Sequence, residues 1–194
     1  MTSLLAFTPA ARTAVVRAGL AAASTGRDVL GPEFLLLALA DGEPLAGRPG
    51  GLGVSAAAVR AQIGLTGGSR AADSDLLAAL GIDAAEVRRR AAQATGIRPD
   101  DPRLWTLRRS RLRPLRVTLR GPATTAVLDE GGRKVIEVAT WTCRKAERGL
   151  AEREDLLWGL LADFASPAVQ ILLRLGTEIG VLWADLQRWN AGPA

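Results

Sequence analysis

The sequence predicts an all-α fold: two four-helix repeats in a pseudo-twofold arrangement, with an arginine-rich insert that forms a short β-strand or an extended arm. Three observations carry that expectation. The stretch "GPEFLLLALAD" at Gly31 to Asp41 returns as "EREDLLWGLLAD" at Glu152 to Asp163. Setting Glu33 on Glu154, an offset of 121 residues, also sets Arg12 on Arg133, Val15 on Ile136, Ala18 on Ala139, and Leu35, Leu36 and Leu39 on Leu156, Leu157 and Leu160. The following segment returns too, after a two-residue shift: "LGVSAAAVRAQI" (Leu52 to Ile63) becomes "LGTEIGVLWADL" (Leu175 to Leu186). "LGIDAAEVRRRA" (Leu80 to Ala91) gives that ending a third time. An ordered set of matches is the signature of an internal duplication.

A central helix that is apolar on every side cannot bury that surface alone. Two repeats packed face to face would bury both, at about 25 cal/mol per Å² of apolar area. The expectation is therefore one domain over residues 1–194, with repeat 1 at 5–65, an insert at 66–122 and repeat 2 at 123–190.

Thr8-Pro9 reads as a helix start, threonine as N-cap and proline at the first helical position. Ala11, Ala14, Val15, Ala18 and Ala22 then recur at three- and four-residue steps, an apolar stripe. "STGRDVLGP" is a turn or loop, and Pro32 again suits a helix N-terminus. The helix Glu33 to Asp41 is apolar nearly all round and should be central and buried. "GEPLAGRPGGLG" (Gly42 to Gly53) carries too much glycine and proline for a regular helix, after which Ser55 caps a helix from Ala56 to about Ile63. The insert holds a helix at Asp83 to Thr95, the loop "GIRPDDPRLW", and then "PLRVTLRGP". There Leu115, Val117 and Leu119 alternate with Arg116, Thr118 and Arg120, the period of a strand.

Composition excludes more than it includes. The hydrophobic fraction of 48% fits a compact protein, and no run approaches the 18 unbroken apolar residues of a membrane span. The amino-terminal stretch lacks the basic region of a signal peptide, and the single cysteine, Cys143, fits a reducing compartment, so a cytoplasmic location is expected. Histidine and tyrosine are absent, which removes Ser-His-Asp and Cys-His catalysis and histidine-based zinc sites. Cys143 reads as a helix-packing thiol. There is no phosphate-binding loop of the GxxxxGK[ST] type and no GxGxxG after a strand. No cofactor and no metal are expected, and a non-enzymatic role is preferred.

At this point the residues resemble a known family. "FTPAARTAVVRAGLAAASTGRDVLGPEFLLLALADGE" is similar to the first repeat of the Clp N-terminal domain, the double Clp repeat at the front of Clp-type unfoldases. The family typically reads Phe-Thr, a helix, a Gly-His turn, then Gly-Thr-Glu-His-Leu-Leu-Leu-Gly-Leu. Here Phe7-Thr8, Gly26, Gly31, Glu33 and the run Leu35 to Leu39 match. "GGRKVIEVATWTCRKAERGLAEREDLLWGLL" resembles the second repeat through Arg133 to Glu137, Glu154, Leu156, Leu157 and Gly159-Leu160. With their following helices the two stretches cover about two thirds of the chain.

The resemblance implies a free-standing recognition module without the ATPase modules. It would bind peptides and act as an adaptor, decoy or regulator in Clp-dependent proteolysis, with a Clp-type unfoldase or its substrates and adaptors as partners. In some bacterial members each repeat binds phosphoarginine, which carries over to Thr8 and Glu33 in repeat 1. A carboxylate takes a guanidinium in bidentate fashion, while a helix N-terminus with a threonine hydroxyl favours phosphate. In repeat 2 Glu154 is retained, but Asp129 stands at the threonine position and would repel a phosphate, and Glu152-Arg153 replaces the Gly-Thr step. Glu33, Glu154 and Asp129 also have a plainer reading, since carboxylates are favoured in the first turn of a helix.

The net charge of +5 comes from 25 Lys and Arg residues, of which only Lys134 and Lys145 are lysine. Seven arginines fall between Arg103 and Arg120 with no acidic residue among them. Arg108, Arg109, Arg111, Arg113 and Arg116 form a basic contact segment that could meet nucleic-acid phosphates or an acidic protein face, or could be a solvated arm. Alternation of arginine with apolar residues suits a surface strand better than a groove-reading helix, which argues against nucleic acid. The alternative to the recognition module is a repurposed scaffold whose repeat interface became a small-molecule pocket, binding or catalytic through carboxylates such as Glu33. The five tryptophans, Trp105, Trp141, Trp158, Trp183 and Trp189, read mostly as core, Trp158 above all.

Overall fold

Thr8 does open the first helix. The structure, a computed structural model, describes residues 4–42, 52–66, 90, 99–110, 116–122 and 124–191. A short 3-10 turn, Leu4–Ala6, leads into α1 (Pro9–Ser24), where the Thr8 hydroxyl accepts from the Ala11 N–H at 3.4 Å. The expected stripe Ala11, Ala14, Val15, Ala18 and Ala22 is buried. Gly26, at φ 70°, ends the helix in a left-handed conformation that suits glycine. The two-residue strand β1 (Val29–Leu30) follows, then α2 (Pro32–Ala40), whose residues Phe34 to Leu39 are all buried. Ser55 caps α3 (Ala56–Thr66), its hydroxyl accepting from the Ala58 N–H at 3.1 Å.

Strands β2 (Thr106–Arg109), β3 (Val117–Arg120) and β4 (Thr125–Leu128) come next, and a 3-10 turn at Pro102–Leu104 precedes them. Four helices complete the chain: α4 (Glu130–Lys145), α5 (Arg153–Leu161), α6 (Pro167–Arg174) and α7 (Ile179–Ala191). The first three of these have Asp129, Glu152 and Ser166 at their N-caps. The core forms around α2, which touches α1, α3, α4, α5 and α6. Leu36 and Leu157, the matched leucines of the two apolar helices, are 0% and 1% exposed.

The all-α expectation is corrected by a four-stranded sheet in the order β1-β4-β3-β2. β1 runs parallel to β4, and the other neighbours are antiparallel. The inward residues of the three longer strands, Leu107, Val117, Leu119, Ala126 and Leu128, are buried. They pack on α1 at Gly19, where an added Cβ would lie 2.6 Å from a Leu119 methyl. The period-two signal was readable in β3 alone, because two- and four-residue strands are shorter than the window over which a period is recognised. The described part of the arginine-rich segment is thus paired strand: β2 and β3 pair from Thr106↔Arg120 to Arg109↔Val117.

Helix bounds in the two halves agree closely. α1 and α4 both have 16 residues and begin 121 residues apart, and α2 and α5 both have 9 and share that offset. Two parallel bridges show the same relation. Leu30 pairs with Leu128 and Phe7 with Ala151; Phe7 and Leu128, like Leu30 and Ala151, are 121 residues apart.

The tryptophans depart from expectation in part. Trp105 is buried, and its indole N–H donates to the Pro99 carbonyl at 2.6 Å. Trp158 is half-buried against Trp183, their rings 4.6 Å apart. Trp141 is 58% exposed, with the Lys145 ammonium 5.2 Å from its ring. α4 is strongly amphipathic, and Trp141 falls on its polar side. Cys143 is buried, its thiol donating to the Arg148 carbonyl. The helix expected at 83–95 lies outside the described residues apart from Arg90, which is helical and exposed. Most of the Gly42–Gly53 segment also lies outside them.

Candidate functional site

The pairing of β1 with β4 brings two helix N-termini side by side. Each strand runs straight into a helix, so α2, entered through Gly31-Pro32, starts beside α4, entered through Asp129-Glu130. The Val127 N–H donates to the Asp28 carbonyl at 2.8 Å and the Asp129 N–H to the Leu30 carbonyl at 3.2 Å. Two glycines let the ends close up. A Cβ on Gly131 would lie 3.1 Å from Pro32 Cδ, and one on Gly132 would lie 2.5 Å from the Leu30 carbonyl oxygen. Glycine in a helix costs about 1 kcal/mol relative to alanine, so a Gly-Gly first turn marks a position where close approach is required.

Glu33 and Asp129 stand at the two helix N-termini of this corner. Asp129 caps α4, its Oδ1 accepting from the Gly132 N–H at 2.6 Å. Glu33 folds its carboxylate back over Gly31, where a Cβ would collide with it. The Arg27 guanidinium lies 3.4 Å from Glu33 Oε1 and 5.6 Å from the Phe34 ring centre. Both carboxyls titrate above their ordinary range. For Glu33 burial is the main cause and the negative charge of Asp129 adds to it, against its own backbone N–H and Arg27. For Asp129 burial again leads and Glu130 adds, opposed by the Gly132 and Gly131 N–H groups. Carboxylates at two adjoining helix N-termini attract a cation, and a planar guanidinium with several donors suits them best.

The carried-over pair Thr8 and Glu33 is split. Thr8 sits at the N-terminus of α1, whereas Glu33 follows the connection that leaves the other end of that 16-residue helix, about 24 Å away along its axis. Thr8 instead donates its N–H to the Ala151 carbonyl at 2.9 Å, three residues before Glu154. The structure therefore sets Glu33 against Asp129 and Thr8 against the approach to Glu154. Glu154 is buried, between Arg153 and Asp155. Arg153 reaches across to the Leu39 carbonyl at 3.0 Å, and Asp155 accepts from Arg148 and from the Glu152 N–H. Burial raises the Asp155 carboxyl, against that backbone N–H and Arg148.

Arg108, Arg109 and Arg116 are exposed on β2 and just before β3, while Arg111 and Arg113 lie outside the described residues. Arg27 was missed as a site residue; its only sequence signal is its place in the turn before Glu33. A cavity of about 200 Å³ lies elsewhere, at the C-terminal end of α2, walled by Ala10, Ala14, Ala38 and Gly42 with Arg17 and Arg153. Both arginines already serve α2 there, Arg17 beside Asp41 at 3.9 Å and Arg153 on the Leu39 carbonyl. Among the described residues no group of His, Cys, Asp or Glu side chains is placed to hold a metal ion, and no helix is long and apolar enough to cross a membrane.

No family profile matches the sequence, and no curated protein matches it. A solved structure does share the fold. The chain is similar to the N-terminal domain of the caseinolytic-protease-associated chaperone ClpD from Arabidopsis thaliana, with a TM-score of 0.58 and 16% identity over 95% of this chain and 96% of that one. At that identity the likeness is one of fold: a mostly helical Clp N-terminal-domain architecture, carrying a four-stranded sheet in this chain.

Proposed function

We propose that this protein is a non-enzymatic recognition module of the Clp type, docking peptides, substrates or adaptors for a cytoplasmic unfoldase, and that its Glu33–Asp129 corner receives arginine side chains. The fold likeness supports the Clp-related docking role. The single observation that carries the ligand class is that two adjoining helix N-termini each bring a carboxylate, Glu33 and Asp129, with a guanidinium of the chain itself, Arg27, 3.4 Å from Glu33. The equal helix lengths, the shared 121-residue offset and the matching bridges support an origin by duplication, with Asp129 and Thr8 as equivalent positions. A phosphate would be repelled by Asp129, so this corner takes unmodified arginine. The threonine hydroxyl that the family resemblance links to phosphoarginine remains at Thr8.

Calorimetric titration with matched peptides carrying arginine or phosphoarginine tests the reading. The arginine peptide binds the wild type, Glu33→Ala abolishes that binding, and Asp129→Thr shifts preference toward phosphoarginine. Equal binding of the arginine peptide by wild type and Glu33→Ala removes the site. Failure of both peptides to bind removes the ligand class.

A further inference from the structure

We propose that the outer face of the sheet is a second docking surface, for an acidic protein segment. One face of the sheet is spent on the core. On the other, the register aligns Arg108, Thr118, Val127 and Val29 in one row across all four strands, and Thr106, Arg120 and Thr125 in the next. Arg108 and Arg120 are therefore diagonal neighbours on adjacent antiparallel strands, about 7–8 Å apart along the diagonal. Both are exposed, as are Arg116 just before β3 and Arg103 in the turn before β2. Among the described residues none of these four side chains has an ion pair, and no acidic residue stands anywhere between Arg103 and Arg120. Val29, 47% exposed, adds an apolar end to the arginine row.

This combination fits carboxylates better than nucleic acid. Single strands are held by bases stacked on outward aromatic rings. The one aromatic residue of the segment, Trp105, is 3% exposed and tied to Pro99. Guanidinium groups instead pair with Asp and Glu in bidentate geometry, threonine hydroxyls add hydrogen bonds, and Val29 with Val127 accepts an apolar side chain. The partner is thus a segment rich in Asp and Glu that also carries apolar residues.

Fluorescence anisotropy with a labelled peptide of alternating glutamate and leucine tests this, with a labelled oligothymidine and a short DNA duplex as competing probes. The peptide binds at low salt, more tightly than either DNA probe. The double reversal Arg108→Glu with Arg120→Glu, at exposed positions, weakens it at least about tenfold, because two charge-assisted contacts become repulsive. A control reversal of equal charge, Arg144→Glu with Arg174→Glu, leaves peptide binding within about twofold. Tighter binding of a DNA probe, survival of peptide binding after the first reversal, or equal loss in the control would each overturn the proposal.

Discussion

Glu33 and Asp129 stand where a folding role and the proposed recognition role would fall on the same residue. Each lies in the first turn or cap of a helix, where exposed N–H groups favour negative charge, yet burial holds both carboxyls above their ordinary range. A carboxyl raised in the folded state binds its proton more tightly folded than unfolded. Its contribution is then fully present below the ordinary carboxylate range and is lost as pH rises through the folded value. Glu33→Gln should therefore melt at or above the wild-type temperature at neutral pH, the gain reduced by the lost Arg27 pair, which is worth under about 1 kcal/mol. The difference should vanish in acid, and a lower neutral melting point would contradict it. Asp129→Asn keeps a capping oxygen and should be near neutral, whereas Asp129→Ala should cost about 1 kcal/mol in denaturant unfolding. Arginine-peptide affinity should fall at mildly acidic pH, above the range of an ordinary carboxylate. Arg27→Ala should tighten it up to about fivefold, since one competing cation is gone. The glutamate was legible from its place before the leucine run. Asp129 was legible as a helix-start carboxylate, but its place beside Glu33 was not, because which helix N-terminus lies beside α2 is decided by the β1–β4 pairing, and a two-residue strand leaves no periodic trace.

At the scale of elements, the apolar helices α2 and α5 lie at the centre of the core. Leu36→Ala and Leu157→Ala each remove a buried leucine side chain and should cost about 2–5 kcal/mol in unfolding experiments. A cost near zero would place either leucine outside the core. α4 and α5 meet at Gly159, where a Cβ would run into the Val135 carbonyl oxygen, a backbone atom that cannot swing aside. Gly159→Ala should cost about 1–3 kcal/mol. These helices were readable because caps, proline positions and all-round apolarity are local signals: Thr8, Pro9, Pro32 and Ser55 each stand at the helix end they announce. The sheet was not, apart from Val117 and Leu119, whose alternation with arginine and threonine survives in a four-residue strand. Trp141 misled because tryptophan is usually buried, while α4 has a polar side wide enough to carry one under a lysine.

Across the whole molecule, the two apolar helices α2 and α5 touch, and α1, α3, α4 and α6 pack around α2. The long-range bridges tie the start of each half to the other: Phe7 to Ala151, and Leu30 to Leu128. That crossing makes the carboxylate corner a joint product of both halves, Glu33 from one and Asp129 from the other. Nuclear magnetic resonance of the labelled protein, titrated with an arginine-containing peptide, tests this most directly. The account predicts amide shifts concentrated at Gly31, Glu33 and Phe34 and at Asp129 to Gly132, saturating together at a single affinity. Shifts confined to one of these segments, or centred elsewhere on the protein, would contradict it.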